Sequence, residues 1–222
     1  METMVAVFIM GIVVWGAYEI FREGIQYYRT NNRASNAQAD CLNLLSKMSL
    51  QMSSAKHDLV RHYDTGAVVP GVVFATSLAD DGRAHYDEPN GNKVFWQKLI
   101  CFYLDTSTGK VYRKEQALPN SGSMPGETGT SDTTTVDAEL ASCTTNYFAA
   151  LNTNRTTLVA QDIRSLKVSL YDPSTGMVPG AGGAGGAGGK QAYDIVVEAG
   201  NPTDIGPMGY FIKLNSRVSP RG

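Results

Sequence analysis

The chain has little of what catalysis or nucleic-acid binding requires. Its 19 Lys and Arg stand against 21 Asp and Glu, so the basic surplus of a nucleic-acid binder is missing. Only three histidines occur, His57, His62 and His85. The first two would sit about 140° apart around a helix, which spoils a shared metal site. No H-E-x-x-H, C-x-x-C or G-x-S-x-G arrangement is present. Three cysteines, Cys41, Cys101 and Cys143, are too few for a disulfide scaffold, and their odd number leaves one thiol over. Two further absences are local. No proline precedes Pro70, and residues 3–18 carry no Lys, Arg, Asp or Glu.

What fills those two gaps is a long helix. Residues 3–18 read TMVAVFIMGIVVWGAY. As a helix they span roughly 24 Å, a little short of a hydrocarbon core of about 30 Å. A secretory signal would have a basic start and a small-residue cleavage site. Here an acid, Glu2, precedes the run, and Trp15, Tyr18, Ile20 and Phe21 end it. The pattern predicts a membrane-inserted helix with Trp15 and Tyr18 as its interfacial aromatics. From Glu19 to Tyr63 the only glycine is Gly24, so the helix is expected to run to about Tyr63. Its later part should bury a stripe of Leu42, Leu45, Met52, Ala55, Leu59 and Tyr63, with Lys47, Lys56 and Arg61 on wetter faces. The polar patch RTNNRASN, residues 29–36, is the expected weak point or bend.

After Tyr63 the texture turns to short β-like runs. VVPGVVF, residues 68–74, reads as an edge strand or two fragments because Pro70 and Gly71 interrupt it. KVFWQKLICFYLDTSTGKVYRKEQ predicts a hairpin, with strands at 94–104 and 110–116 and a turn at 105–109. LVAQDIRSLKVSLYD supplies a third unit, in which Leu166, Val168 and Leu170 alternate with Lys167 and Ser169. QAYDIVVEAG and GYFIKLNSRVSP predict two last strands. The fold class is therefore α+β: a long N-terminal helix on an antiparallel sheet domain. The expected divisions are an apolar segment 1–21, an amphipathic continuation 22–64 and a β-rich head 65–222. The Ser/Gly/Thr-rich stretch 120–135 is expected as an exposed loop, and the GGA repeat at 180–189 as a flexible insertion without side chains to bury.

The segment ETMVAVFIMGIVVWGAYEIFR resembles the mature N-terminus of type IV pilins and pseudopilins, in which a Glu precedes an uninterrupted apolar helix. The order of the β units and the ending Arg217-Val218-Ser219-Pro220-Arg221 resemble the J-class minor pseudopilins of type II secretion and the related minor pilins. Gly222 replaces the usual Asn. The resemblance implies that Glu2 pairs with the N-terminal amine of a neighbouring subunit. It also implies that Val5, Val7, Phe8, Ile9, Ile12, Val13 and Val14 lie first in the inner membrane and then in a filament core. Its implied partners are other minor subunits, the major subunit and an inner-membrane assembly platform, with the head in the periplasm. The family's basic leader and cleavage-site Gly have no counterpart before Glu2, so the precursor is expected to begin upstream of Met1.

No enzymatic activity and no cofactor are expected. LADDGRAHYDEPNGN gathers Asp80, Asp81, Asp87 and Glu88, which suit a solvated acidic loop better than calcium because the EF-hand spacing is missing. An oxidising compartment makes Cys101 and Cys143 a candidate disulfide, with Cys41 a buried thiol of the long helix. The alternative function is a membrane-tethered adhesin or ligand-binding domain that uses loop 120–135.

Overall fold

The computed structural model describes residues 2–63, 69–78, 84, 86–87, 91, 93–119, 129–150, 156–171, 192–200 and 210–220. The class is α+β. One continuous helix, α1 (Glu2–Met52), is 51 residues long and passes unbroken through the RTNNRASN patch. It ends eleven residues before Tyr63, which corrects the expected length. Ser53 and Ser54 turn their hydroxyls onto the carbonyls of Leu50 and Gln51, at 2.7 and 2.6 Å, and so satisfy acceptors of the last turn. A short 3-10 turn (His57–Leu59) follows. The β-prone Val60–Tyr63 then leaves as strand β1.

The remaining elements, in chain order, are β2 (Gly71–Thr76), β3 (Tyr86–Asp87), β4 (Lys93–Val94), β5 (Lys98–Asp105) and β6 (Lys110–Ala117). After them come α2 (Thr133–Ser142), α3 (Thr145–Ala150), β7 (Thr156–Ala160), β8 (Ile163–Tyr171), β9 (Ala192–Gly200) and β10 (Phe211–Val218). They form a five-stranded sheet β1-β2-β5-β6-β7, a three-stranded sheet β10-β9-β8 and a two-stranded ribbon β3-β4. Every pairing is antiparallel.

The α1 stripe that meets the head is Ala37, Cys41, Leu44, Leu45, Met48 and Met52, all buried. The expected stripe is thus right at Leu45 and Met52 and wrong at Leu42, which is 52% exposed. Leu59 and Tyr63 pack with the head after the helix has ended. The α1 stripe shares one core with Val72, Phe74, Ile100, Phe102 and Leu104 of the larger sheet, and with Leu166, Val168, Ile195 and Val197 of the smaller. On the other face of the larger sheet, Val73, Ala75, Leu99, Cys101 and Tyr103 pack under Val136, Leu140 and Phe148 of α2 and α3. Strand β5 is buried on both faces, which is why it reads as a nearly unbroken apolar run.

Strand β2 is central rather than an edge, because β1 and β5 flank it. Pro70 stays outside the strand and uses its carbonyl to accept from the Leu104 N–H at 2.9 Å, so no ladder donor is lost. Gly71 is needed there: a Cβ would stand 2.2 Å from the Phe102 carbonyl oxygen. The hairpin turns where expected, but its first strand begins at Lys98 rather than at 94, because Val94 pairs with Tyr86 in the β3–β4 ribbon. Asp105 accepts from Ser107 and Thr108, and Gly109 takes φ +66° before β6 begins.

LVAQDIRSLKVSLYD does not form one unit. Asp162, at φ 56°, turns a corner, and β7 joins the larger sheet while β8 joins the smaller. Two bonds fix that corner. The Gln161 N–H donates to Asp40 of α1 at 3.2 Å, and the Ile163 N–H to the Gly109 carbonyl at 2.9 Å. Residues 133–135, expected as loop, are instead the first turn of α2. Asp132 caps that turn by accepting from the Thr134 N–H at 2.9 Å. The GGA repeat, and residues 120–128 of the expected loop, lie outside the described residues.

Candidate functional site: the exposed half of the long helix

Residues of α1 before Ala37 meet little of the head, and the apolar ones lie bare. Val5, Val7, Phe8, Ile9, Ile12, Val13 and Val14 are all exposed. Exposure among the large apolar side chains of this half runs from 47% at Ile25 to 80% at Met4. Over its most apolar 18 residues the helix has a mean hydropathy of 2.0 with none of the window buried, and it is long enough to cross a membrane. A helix folded into a soluble core would have buried that stretch. Glu2 is the first residue of α1, and its side chain lies outside the described residues.

The apolar surface continues past Tyr18. Glu19 and Arg22 pair at 3.5 Å on one side, while Phe21, Ile25 and Tyr28 stay exposed on another. At about 100° per residue of a regular helix, that second stripe lies about 180° round from Ala37, Cys41, Leu44 and Met48. The helix therefore carries two apolar faces. One holds the head, and the other points away from it with no partner among the described residues. Periodicity in the sequence could have found the Phe21–Ile25–Tyr28 stripe, but the charges at Glu19, Arg22 and Glu23 masked it.

The structure assembles no catalytic or metal constellation among the described residues. No group of three or more His, Cys, Asp or Glu side chains is placed to hold a metal. Asp87 is buried on β3, while Asp80, Asp81, Glu88 and His85 lie outside the described residues. His57 sits 2.6 Å from Asp58, and His62 stands edge-on to the Tyr193 ring.

All three cysteines are free thiols and buried. Cys41 belongs to the helix face against the head, as expected, and burial with the nearby Asp40 carboxylate pushes its pKa up to about 11. Cys101 on β5 and Cys143 at the end of α2 share one apolar cluster, yet the candidate disulfide between them is not made in this structure. The Cys143 sulfur lies 3.8 Å from Gln116 Oε1 instead. Burial raises both thiol pKa values, and for Cys101 the charge of Lys114 only partly opposes it. Such thiols are poor nucleophiles.

No protein-family profile, curated protein or solved structure matches the chain. What the chain itself supplies is therefore an α+β head carried on a helix long and apolar enough to cross a membrane.

Proposed function

We propose that the chain is a structural minor subunit of a type IV pilus or a type II secretion pseudopilus, which joins or initiates the filament and performs no catalysis. One observation carries this reading: a single 51-residue helix is bare and apolar in its first half and buried in the head in its second. A helix of that kind suits both a bilayer and a bundle of like helices.

The physics of such a transfer constrains where its specificity lies. Lipid tails are as apolar as the helix, so moving from bilayer to filament yields no net hydrophobic gain, and close packing and polar pairing must decide the outcome. A carboxylate among apolar neighbours is costly unless a cation meets it. Glu2, at the tip of α1, fills that role by pairing with the N-terminal amine of an adjacent subunit. The stripe Phe21, Ile25 and Tyr28 turns away from the subunit's own head and suits contact with neighbouring helices. Before assembly the subunit sits in the inner membrane with its head in the periplasm. Its partners are other minor subunits, the major subunit and the assembly platform.

Glu2→Ala tests the reading. The variant should enter the membrane normally and fail to join filaments or to crosslink with its partner subunits. Normal piliation or secretion in cells that carry only the variant would overturn the proposal.

A further inference from the structure

We propose that the free edge of β10 takes up an extended segment of another protein, which adds to the three-stranded sheet as an antiparallel strand with alternate aliphatic side chains towards α1. This goes beyond the filament reading and does not depend on it.

Strand β10 ends the order β10-β9-β8, and among the described residues its backbone pairs with β9 alone. In an antiparallel ladder successive residues turn their N–H and C=O groups to opposite edges. Every second residue of Phe211–Val218 therefore offers both groups to the outside. The other edges of the two main sheets are shorter or broken. β1 has four residues and β7 has five. β8 packs against β1, β2 and β5, and its register slips between Ile163 and Ser165. β10 runs through eight consecutive pairs without a bulge or a proline.

An apolar shelf lies beside those backbone groups. Ile195, Val197 and Ala199 of β9 are fully buried, whereas Ile212 and Leu214, on the same face of β10, are only partly buried. The reason is that β9 has a strand on each side and β10 has not. Helix α1 flanks this edge. Ser49 meets Ser216, while Asp40 and Gln51 on the other flank of the helix reach Gln161 and Arg113. Tyr210, one residue before β10, lies near Arg33 and Cys41, so helix and strand run in the same direction. Leu42 precedes Ser49 by two helical turns, about 20° round from it and about 10 Å nearer the N-terminus. Its half-exposed side chain therefore stands level with the first half of β10, on the side of the open edge.

The opposite face of β10 sets no charge preference. Lys213 pairs with Glu198 at 3.0 Å and Arg217 with Asp194 at 2.8 Å, both on β9. A second copy of the chain does not fit. Two β10 edges pair antiparallel only about a two-fold axis perpendicular to the sheet, which sends the apolar half-helices in opposite directions and out of one bilayer. Parallel pairing turns one copy over, so that its Lys213, Asn215 and Arg217 row falls on the side of Ile212 and Leu214.

The test uses the isotope-labelled full-length chain in detergent micelles, with amide hydrogen exchange read residue by residue. The probe is a synthetic peptide as long as β10 that alternates valine with threonine. It should slow the outward amides of β10 saturably and by about tenfold or more, since these exchange fast in the free protein. Two N-methylated peptides, one blocked at its valines and the other at its threonines, separate backbone pairing from side-chain contact. Only one should protect, because a strand that keeps its valines towards α1 offers a single set of amides to β10. Ile212→Lys and Leu42→Lys each put a charge into the apolar row and should weaken binding about tenfold. Circular dichroism confirms folding, and Leu42→Lys, at an exposed helix position, carries the test if Ile212→Lys does not fold. The proposal is overturned if the peptide protects nothing in β10, if it protects β1 and β7 equally, or if the two methylated peptides bind alike. It is equally overturned if folded Leu42→Lys binds as tightly as the unaltered chain. Protection of β10 by rising protein concentration alone also overturns it, since a second copy would then cover the edge.

Discussion

Ser49 of α1 and Ser216 of β10 meet through their hydroxyls at 3.1 Å, although 167 residues separate them in the chain. The contact ties the long helix to the last strand. Arg113 of β6 makes a second tie, donating from Nε to Gln51 Oε1 at 2.9 Å. The end of the helix is thereby fastened to both sheets, and a load on the apolar half would pass into the head through this junction.

The face of α1 that holds the head is open to a direct comparison. Leu44 is fully buried and Leu42 is half exposed, two residues away on the same helix. Leu44→Ala should lower the unfolding free energy of the head by about 2–5 kcal/mol. Leu42→Ala should change it by no more than about 0.5 kcal/mol. Chemical denaturation of the two variants, followed by circular dichroism, checks this. Equal effects would place the wrong face against the sheets.

Gly71 is required by space rather than by an unusual backbone angle. In Gly71→Ala the new methyl meets the Phe102 carbonyl in the centre of the sheet, where backbone cannot yield cheaply. The expected loss is about 3 kcal/mol or more. Gly11→Ala, with open space around it, should leave head unfolding unchanged. A wild-type melting curve for Gly71→Ala would contradict the close approach of β2 and β5.

Stability should fall on acidification. Hydrogen bonds from Ser107 and Thr108 lower the Asp105 pKa, and bonds from Thr135 and Thr134 lower that of Asp132. A carboxyl whose folded pKa lies below its unfolded value stabilises the fold above the unfolded value, and that contribution is lost as pH falls through the folded one. The denaturation midpoint should therefore be flat near neutrality and drop below about pH 4. The double variant Asp105→Asn, Asp132→Asn should show a shallower drop. An unchanged acid limb would mean that these two turns contribute nothing to the effect.

The thiols should be present but unreactive. Burial raises the pKa of all three cysteines, and each is shielded by the core. A charged thiol reagent added to the unreduced, folded protein should label them only as fast as the head opens. After denaturation without reductant it should label all three. Recovery of a single thiol would show that Cys101 and Cys143 are joined in the protein as isolated.

Local signals were legible where one residue type has one structural use. Asp105 with Gly109 marked the hairpin turn, and the alternation in Leu166, Lys167 and Val168 marked β8. The signals misled where a tertiary partner changed a residue's meaning. Pro70 suggested an edge strand, but the chain places it one step outside the ladder and gives its carbonyl to Leu104. Residues 133–135 looked like loop because threonine favours helix weakly, yet the Asp132 cap and the burial of Val136 and Leu140 hold them in α2.

By itself the sequence determined the kind of molecule this is. Sixteen uncharged residues and no proline before Pro70 dictate a long helix, apolar at its start, because helix geometry and hydrocarbon solubility are local properties. Only the tertiary structure decided where that helix ends, which of its faces meets the head, and that LVAQDIRSLKVSLYD divides between two sheets at Asp162. Those outcomes depend on partners more than a hundred residues away, such as Ser216 for Ser49 and Gln161 for Asp40. A local pattern cannot report a contact whose other half lies elsewhere in the chain.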